Sequence, residues 1–234
     1  MTDAGRPLLR SRRLWAVREE KCLATLERAL LLLRLNHDVP ETEVKLNRYL
    51  YFCLLAASRE LYPEDDIAPI PECNNQPDPD DETRAAREGK RPDFQWIYLD
   101  RYEPDPSRSS KQFVVECKRL GKPARADWVF NLNYVNHGVN RFRDAAWAYA
   151  QRFPSGAMVG YWQSMEGEQV LNEVNNESRK NGLPDLILIG WNLGAVTRLE
   201  HEFDRPVEVS PFRLRHLWID LRNRGHRELL ELAR

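Results

Sequence analysis

The sequence predicts an α/β fold in which a mixed central β-sheet is flanked by helices. Helical periodicity of apolar residues fills most of the first sixty positions. After a proline-rich stretch, β-branched and aromatic runs follow, first as a strand pair and then in alternation with helical patterns. This order fits a mixed sheet that carries helices on its faces. The 234 residues, 42% of them apolar, suffice for one sizeable domain.

Two helices are predicted in the N-terminal part, over residues 14–36 and 41–61. In both, apolar residues recur at the spacing of three and four that places them on one face of a helix. A short polar break separates the two patterns, and Pro63 ends the second. We expect residues 1–40 to form a helical extension and residues 41–234 to form one compact domain.

A long loop is predicted for residues 62–92, with one helical turn near 82–88, because prolines and acidic residues dominate this stretch. Two strands follow at about 94–102 and 112–119, and the turn-rich linker between them predicts an antiparallel hairpin. The remaining expected elements are a helix at 138–153, a strand at 157–162, a helix at 167–181, a strand at 185–191, a strand pair at 196–203 and 212–221, and a final helical turn at 226–233.

Charge and cysteine content exclude several classes of protein. The net charge of −1 argues against a broadly basic surface, so a nucleic-acid partner would have to meet a local basic groove. The four cysteines lie far apart without a CxxC pair, which argues against a zinc ribbon and favours reduced thiols in a cytoplasmic protein. No stretch reaches the roughly 18 apolar residues that span a membrane, and no signal peptide is visible.

The strongest chemical signal is the pair Pro92-Asp93 followed by Glu116 and Lys118 in a β-branched run. Residues two apart in a strand share a face, so the glutamate and the lysine lie together while Cys117 faces the core. The hairpin brings Asp93 towards Glu116, and two close carboxylates raise each other's pKa. A divalent cation such as Mg²⁺ removes that penalty. The lysine can then orient a water molecule or stabilise charge on a phosphoryl group.

Other interpretations of these residues are open. Glu116 and Lys118 can form an ordinary ion pair on one face of a strand, since Glu-x-Lys is common. Asp78, Asp80 and Asp100 compete with the aspartate of the Pro-Asp pair. The first two lie in the acidic loop with no strand behind them, and the third lies at the far end of the first strand, so the Pro-Asp aspartate is favoured.

This pattern resembles the metal-binding core of the PD-(D/E)xK nuclease superfamily, whose fold is called restriction-endonuclease-like. Downstream, Tyr134–Phe142 and Gly156–Tyr161 resemble a helix and a strand of standalone prokaryotic nucleases found among phage-defence and mobile-element genes. The resemblance covers roughly residues 41–162, about half of the chain. Val139 stands where the subgroup usually has isoleucine, and Ala157 is inserted before the methionine of the strand; both departures are conservative.

The resemblance implies a Mg²⁺-dependent nuclease, with Mn²⁺ as a substitute, that hydrolyses DNA phosphodiester bonds. Asp93 and Glu116 would hold the metal together with the main-chain carbonyl of Cys117, and Lys118 would serve the nucleophile. An acidic residue of an N-terminal helix, for which Glu43 is favoured, would complete the metal site.

Glu41 stays open as the alternative to Glu43, although it should face solvent. Either residue can instead be a first-turn acid that complements the helix dipole. We expect Arg141, and less strongly Arg119 and Arg143, to contact the phosphate backbone, with a solvated helix face as the alternative interpretation. The sequence reveals no stacking platform for single-stranded nucleic acid among its seven scattered tryptophans.

DNA is the expected partner, and a homodimer or a partner protein of a defence system would fit the same resemblance. The alternative is a catalytically silent or partner-gated nucleic-acid-binding module of a larger defence or repair complex. An intact set of aspartate, glutamate and lysine counts against a silent module. The choice between DNA and RNA, the substrate shape and the sequence specificity are left open by these residues.

Overall fold

A computed structural model describes residues 5–35, 40–76, 84–123, 125, 128–192, 195–207 and 209–222. The helices are α1 (Gly5–Leu35), α2 (Glu43–Leu61), α3 (Arg84–Glu88), α4 (Phe130–Tyr134), α5 (Asn140–Arg143) and α6 (Gly167–Lys180), and a π-helical segment, Val135–Val139, joins α4 to α5. The strands are β1 (Ile70–Pro71), β2 (Phe94–Leu99), β3 (Ser110–Leu120), β4 (Ser155–Trp162), β5 (Ile187–Gly190), β6 (Val196–Phe203) and β7 (Phe212–Asp220).

The seven strands form one mixed sheet in the order β1-β2-β3-β4-β7-β6-β5. The central strands β3, β4 and β7 run parallel, whereas β1–β2–β3 and β7–β6–β5 pair antiparallel. Every residue of β4 is buried, as expected for a parallel strand covered on both faces. The predicted fold class, a mixed sheet flanked by helices, is confirmed, and the architecture is consistent with a restriction-endonuclease-like fold.

Helix α1 packs its apolar face into the same hydrophobic core as the sheet. It begins at Gly5, earlier than the sequence pattern predicted. The indole of Trp15 stacks on Phe153 with ring centroids 3.3 Å apart and donates a 3.1 Å hydrogen bond to the hydroxyl of Ser155. Leu26 and the other buried apolar residues of this helix belong to the core cluster that includes α2 and the central strands.

One helix prediction is wrong. The chain was expected to be helical over 138–153, but the helix begins at Phe130 and ends at Arg143. The residues that follow form turns, in which Ala148 and Ala150 adopt φ values of 45° and 51° that no right-handed helix contains. The apolar residues of this stretch are buried through turns, although their spacing matched that of a helix.

Arg205 holds these turns in place. The residue is 5% exposed, and its guanidinium donates to the main-chain carbonyls of Phe142, Tyr149, Ala150, Gln151, Phe153 and Val209. It also lies 3.9 Å over the ring of Phe212. Burial lowers the pKa of this guanidinium to about 9. The carbonyl dipoles compensate the buried charge, so the arginine organises the loop that α5 leads into.

The other boundaries agree with the sequence patterns to within a few residues, and the hairpin of β2 and β3 is antiparallel as predicted. The predicted loop over 62–92 additionally contains β1, and its described helical turn is α3. The helical turn predicted at 226–233 lies outside the described residues. All four cysteines are described and free. Among the described helices, none combines the length and apolar character needed to cross a bilayer.

We expect Arg205→Met to lower the free energy of unfolding by about 3 kcal/mol, because the substitution leaves several buried carbonyls without a charged donor. Urea unfolding followed by far-ultraviolet circular dichroism measures this. Arg198→Met is the matched control, since Arg198 is an exposed arginine paired with Glu27 on the surface, and its loss should cost less than about 1 kcal/mol. Equal losses of stability in the two variants would contradict the role of Arg205 in holding the turns.

Candidate active site

Asp93 lies where the hairpin register places it next to the Glu-x-Lys segment. It immediately precedes Phe94, whose partner in the adjacent strand is Val115. Its Oδ2 accepts a 2.6 Å hydrogen bond from the main-chain nitrogen of Cys117, and its Oδ1 accepts a 2.8 Å bond from the side-chain amide of Asn47. The two bonds fix the carboxylate between β3 and α2.

Glu116 and Lys118 lie on one face of β3, as the alternation of a strand requires. The exposed fraction of Glu116 is 0% and that of Lys118 is 8%. The lysine Nζ lies 2.7 Å from Oε1 of the glutamate, which also accepts a hydrogen bond from Arg141. The second oxygen, Oε2, is buried and has no hydrogen-bond partner. A buried carboxylate oxygen without a donor is costly, and it marks a place where a cation would be stabilising.

The ammonium group of Lys118 is surrounded by oxygens. Besides Glu116 Oε1, it lies 3.0 Å from Oε1 of Glu43 and 2.8 Å from the main-chain carbonyl of Cys117. These three groups, which we call the oxygen pocket, are the ones that the resemblance implied as metal ligands beside Asp93. In this structure the protein's own ammonium group fills the pocket.

Of the competing acids, Glu43 is the one that reaches the site. It begins α2 and contacts the lysine ammonium, whereas Glu41 is exposed. Asp100 follows the opposite end of β2, and Asp78 and Asp80 lie outside the described residues. The acids that the structure brings together are therefore the ones that the sequence pattern favoured.

The charges of the site perturb one another. Burial raises the pKa of Glu116 to about 8, and the nearby Asp93 acts in the same direction. Burial likewise raises the pKa of Asp93, to about 6, although Lys118 and the amide of Cys117 oppose the shift. Burial acts to lower the pKa of Lys118, but the surrounding carboxylates outweigh it and raise that pKa. The site thus holds more negative charge than its buried position favours.

Arg141 is the predicted phosphate contact that the structure places in the site. Its guanidinium contacts Glu116 and lies 4.3 Å from the centre of the Trp147 ring. The two other predicted arginines lie elsewhere: Arg119 donates to the carbonyl of Glu41, and Arg143 donates to a main-chain carbonyl just after α6.

Two site residues were not found by sequence reasoning, Asn47 and Tyr161. The hydroxyl of Tyr161 donates a 2.8 Å hydrogen bond to Oδ1 of Asn47, whose amide nitrogen in turn holds Asp93. Asn47 lies four residues after Glu43 and so on the same face of α2, which is the signal that could have identified it. The tyrosine extends this network to β4.

The donor set suits a hard cation. Carboxylates and a main-chain carbonyl are the ligands that Mg²⁺ accepts, and this ion usually binds one or two carboxylates and retains several water molecules. The buried, unpartnered oxygen of Glu116 is consistent with such a ligand. Within the described residues, no three side chains of His, Cys, Asp or Glu form a cluster that could hold a metal ion. Asp93, Glu116 and Glu43 are therefore not arranged as a three-carboxylate metal site in this structure, and a magnesium ion bound here would use one or two of these carboxylates and retain several water molecules.

No protein-family model matches this chain, and searches of curated proteins and of solved structures find no match either. The functional argument therefore rests on the geometry of the site.

The raised pKa of Glu116 predicts that the metal-free protein loses stability as pH rises. The unfolded chain releases this proton near the ordinary value of 4.5, whereas the folded chain retains it up to about 8. The free energy of unfolding should therefore fall between these values, by about 1 kcal/mol from about pH 7 to about pH 8. The buried imidazoles of His201 and His216 have lowered pKa values because burial disfavours their charge, and they change the free energy of unfolding only at lower pH.

Urea unfolding in EDTA, at about pH 7 and about pH 8, measures this difference. In Glu116→Gln the fall should disappear, because an amide does not titrate. Glu202→Gln, which replaces an exposed carboxylate on β6, is the control and should keep the wild-type difference. A Glu116→Gln protein that lost stability as steeply as wild type would show that another group carries the pH dependence.

Proposed function

We propose that this protein is a Mg²⁺-dependent nuclease that hydrolyses DNA phosphodiester bonds. One observation carries the proposal: Asp93, Glu116 and Lys118 converge with Glu43 in one site, although Glu43 and Lys118 lie 75 residues apart in the chain. Carboxylates beside a lysine at the open end of the hairpin provide the functional groups that phosphoryl transfer by water requires. A purely structural ion pair would not need the second carboxylate or the unpartnered oxygen.

The residues of the site have distinct roles in this proposal. Asp93 and Glu116 would hold the ion, with the Cys117 carbonyl and Glu43 as further oxygen ligands. When bound, Mg²⁺ lowers the pKa of a coordinated water and neutralises charge on the phosphoryl oxygens. Lys118 orients the attacking water through its ammonium group and offsets the charge that develops on the phosphate.

The surrounding residues act as positioning residues. Asn47 holds one oxygen of Asp93, and the main-chain amide of Cys117 holds the other, so the aspartate is kept in one orientation. Arg141 contacts Glu116 and fixes that carboxylate from the side of α5. Each of these contacts lies within the protein, so the orientation of the two carboxylates is established before a substrate arrives, whereas Lys118 has to move before an ion can use the oxygen pocket.

A partner-gated nuclease is a second candidate, which the position of Lys118 favours. Its ammonium group fills the oxygen pocket, and Glu116 is fully buried. Metal binding through these oxygens requires Lys118 to give up contacts that stabilise the present arrangement. A partner protein or the nucleic acid itself could supply the free energy for that change by binding the rearranged site more tightly. This would make the chain a binding module until it is activated.

Cleavage assays test the proposal. Wild-type protein should cut supercoiled, linear or single-stranded DNA in the presence of Mg²⁺ or Mn²⁺, and EDTA should abolish cutting. Lys118→Ala and Asp93→Asn should each reduce the rate by about a hundredfold or more, because the first removes the group that acts on the reacting phosphate and the second removes the charge of a metal ligand. An RNA substrate in the same assay decides between the two nucleic acids.

The matched control is Lys180→Ala, which removes an exposed lysine at the end of α6 and should leave the rate unchanged. If wild type binds DNA but cuts no substrate with any metal, the partner-gated module is supported and autonomous cleavage is excluded. If Lys118→Ala and Asp93→Asn cut as fast as wild type, the assignment of the active site is wrong.

The oxygen pocket also predicts an effect on metal affinity that is opposite to the effect on rate. We expect Lys118→Met to bind Mg²⁺ about tenfold more tightly than wild type, because the substitution removes a competing cation from the same oxygens. Isothermal titration calorimetry without nucleic acid measures this. Lys180→Met should leave the affinity unchanged. Equal or weaker binding by Lys118→Met would show that the ion does not use the pocket.

A further inference from the structure

Two exposed aromatic side chains, Trp128 and His137, have nearly parallel ring planes, and His137 lies one residue before the glycine that packs on Lys118. Their ring planes are within 12° of parallel, and their centroids are 6.5 Å apart. Trp128 is 46% exposed and His137 is also exposed. The main-chain nitrogen of Trp128 donates a 3.0 Å hydrogen bond to the carbonyl of Arg125. We call these two rings the aromatic pair.

The aromatic pair is connected to the catalytic lysine through the π-helical segment. His137 belongs to this segment, and the next residue, Gly138, packs directly on Lys118. A Cβ atom added at Gly138 would lie 3.3 Å from Cγ of Lys118 and 2.5 Å from the end of Met158. The glycine therefore allows the segment to approach the site closely. Such π-helical insertions occur frequently at functional sites.

Basic residues lie between the catalytic strand and the aromatic pair. Lys118 and Arg119 belong to the end of β3, Lys122 and Arg125 follow it, and Asp127 directly precedes Trp128. Lys122 and Arg125 are exposed. The guanidinium of Arg119 lies 4.1 Å over the ring of Phe130. This arrangement, in which cations precede an exposed aromatic surface, suits a ligand that alternates phosphates with flat rings.

We propose that the aromatic pair is a stacking platform for an unpaired nucleobase, so that the site takes single-stranded or locally unpaired nucleic acid. This inference rests on the proposed function, whose substrate class it names. Stacking on a side chain requires a free base face, which a paired duplex covers with neighbouring bases except at its ends. Lys122, whose side chain is exposed, would bind an adjoining phosphate, and the pair would direct the chain past Lys118.

Equilibrium binding tests the platform without cleavage. A short fluorescein-labelled oligo-dT and a duplex of the same length are titrated with the protein in EDTA, and anisotropy is recorded. Trp128→Ala should weaken oligo-dT binding about tenfold, which is the size of effect that loss of one stacked base produces. The duplex should be affected much less. Trp128→Phe retains an aromatic face and should keep most of the affinity for oligo-dT.

Tyr102→Ala is the matched control, because Tyr102 is a similarly exposed aromatic residue, 45% exposed, in the loop that follows β2. It should bind both probes as wild type does. The platform is overturned if wild type binds no oligo-dT or if Trp128→Ala binds oligo-dT as wild type does. It is also overturned if Trp128→Ala loses affinity for oligo-dT and for the duplex equally. The last result would indicate a general loss of folding or of charge contacts.

The stacking platform and the nuclease activity can be refuted independently of each other. A wild-type protein that binds oligo-dT through Trp128 but cuts no substrate with any metal would retain the platform and exclude autonomous nuclease activity. A wild-type protein that cuts with Mg²⁺, while Trp128→Ala matches it in both oligo-dT affinity and cutting rate, would retain the nuclease and overturn the platform.

Discussion

The carboxylate of Glu116 is sealed from solvent in the middle of the sheet, where an uncompensated charge is costly. Compensation comes from two directions, from Lys118 on the same strand and from Arg141 on α5. The arginine is held in turn by the ring of Trp147, in the loop that Arg205 clamps. A buried carboxyl group at the centre, whose pKa burial raises to about 8 despite both cationic partners, thus connects β3, the interrupted helix and a distant turn into one network.

The opposite side of the site is arranged around Asp93. Its two oxygens are bound by the amide of Cys117 and by Asn47, which Tyr161 orients. These groups come from β3, α2 and β4, so the aspartate is fixed by elements that are far apart in the chain. Precise placement of this kind follows from the sheet register, since a slip of one residue would turn Glu116 and its neighbours to the other face.

The local part of the site was predictable from the sequence, and the part built by distant contacts was not. Strand alternation and the hairpin placed Asp93 beside the Glu-x-Lys segment, and helical spacing favoured Glu43 over Glu41. The stretch 144–153 was assigned to a helix because its apolar spacing matched one. The hydrogen bonds from Arg205, which lies more than fifty residues further along the chain, hold this stretch in turns instead of a helix. The exposed pairing of Trp128 with His137 likewise depends on tertiary structure.

Lys118 in the oxygen pocket has a consequence for how the protein matures in a cell. Many small metal-binding domains are unfolded until their ion arrives, because the free energy of metal binding supplies the free energy of folding. Here the chain carries its own counter-ion into the core, so the sheet can close without an external cation. Under the proposed function, folding would thereby be separated from metal supply, and a change in the free magnesium concentration would alter the activity of the folded protein rather than its abundance.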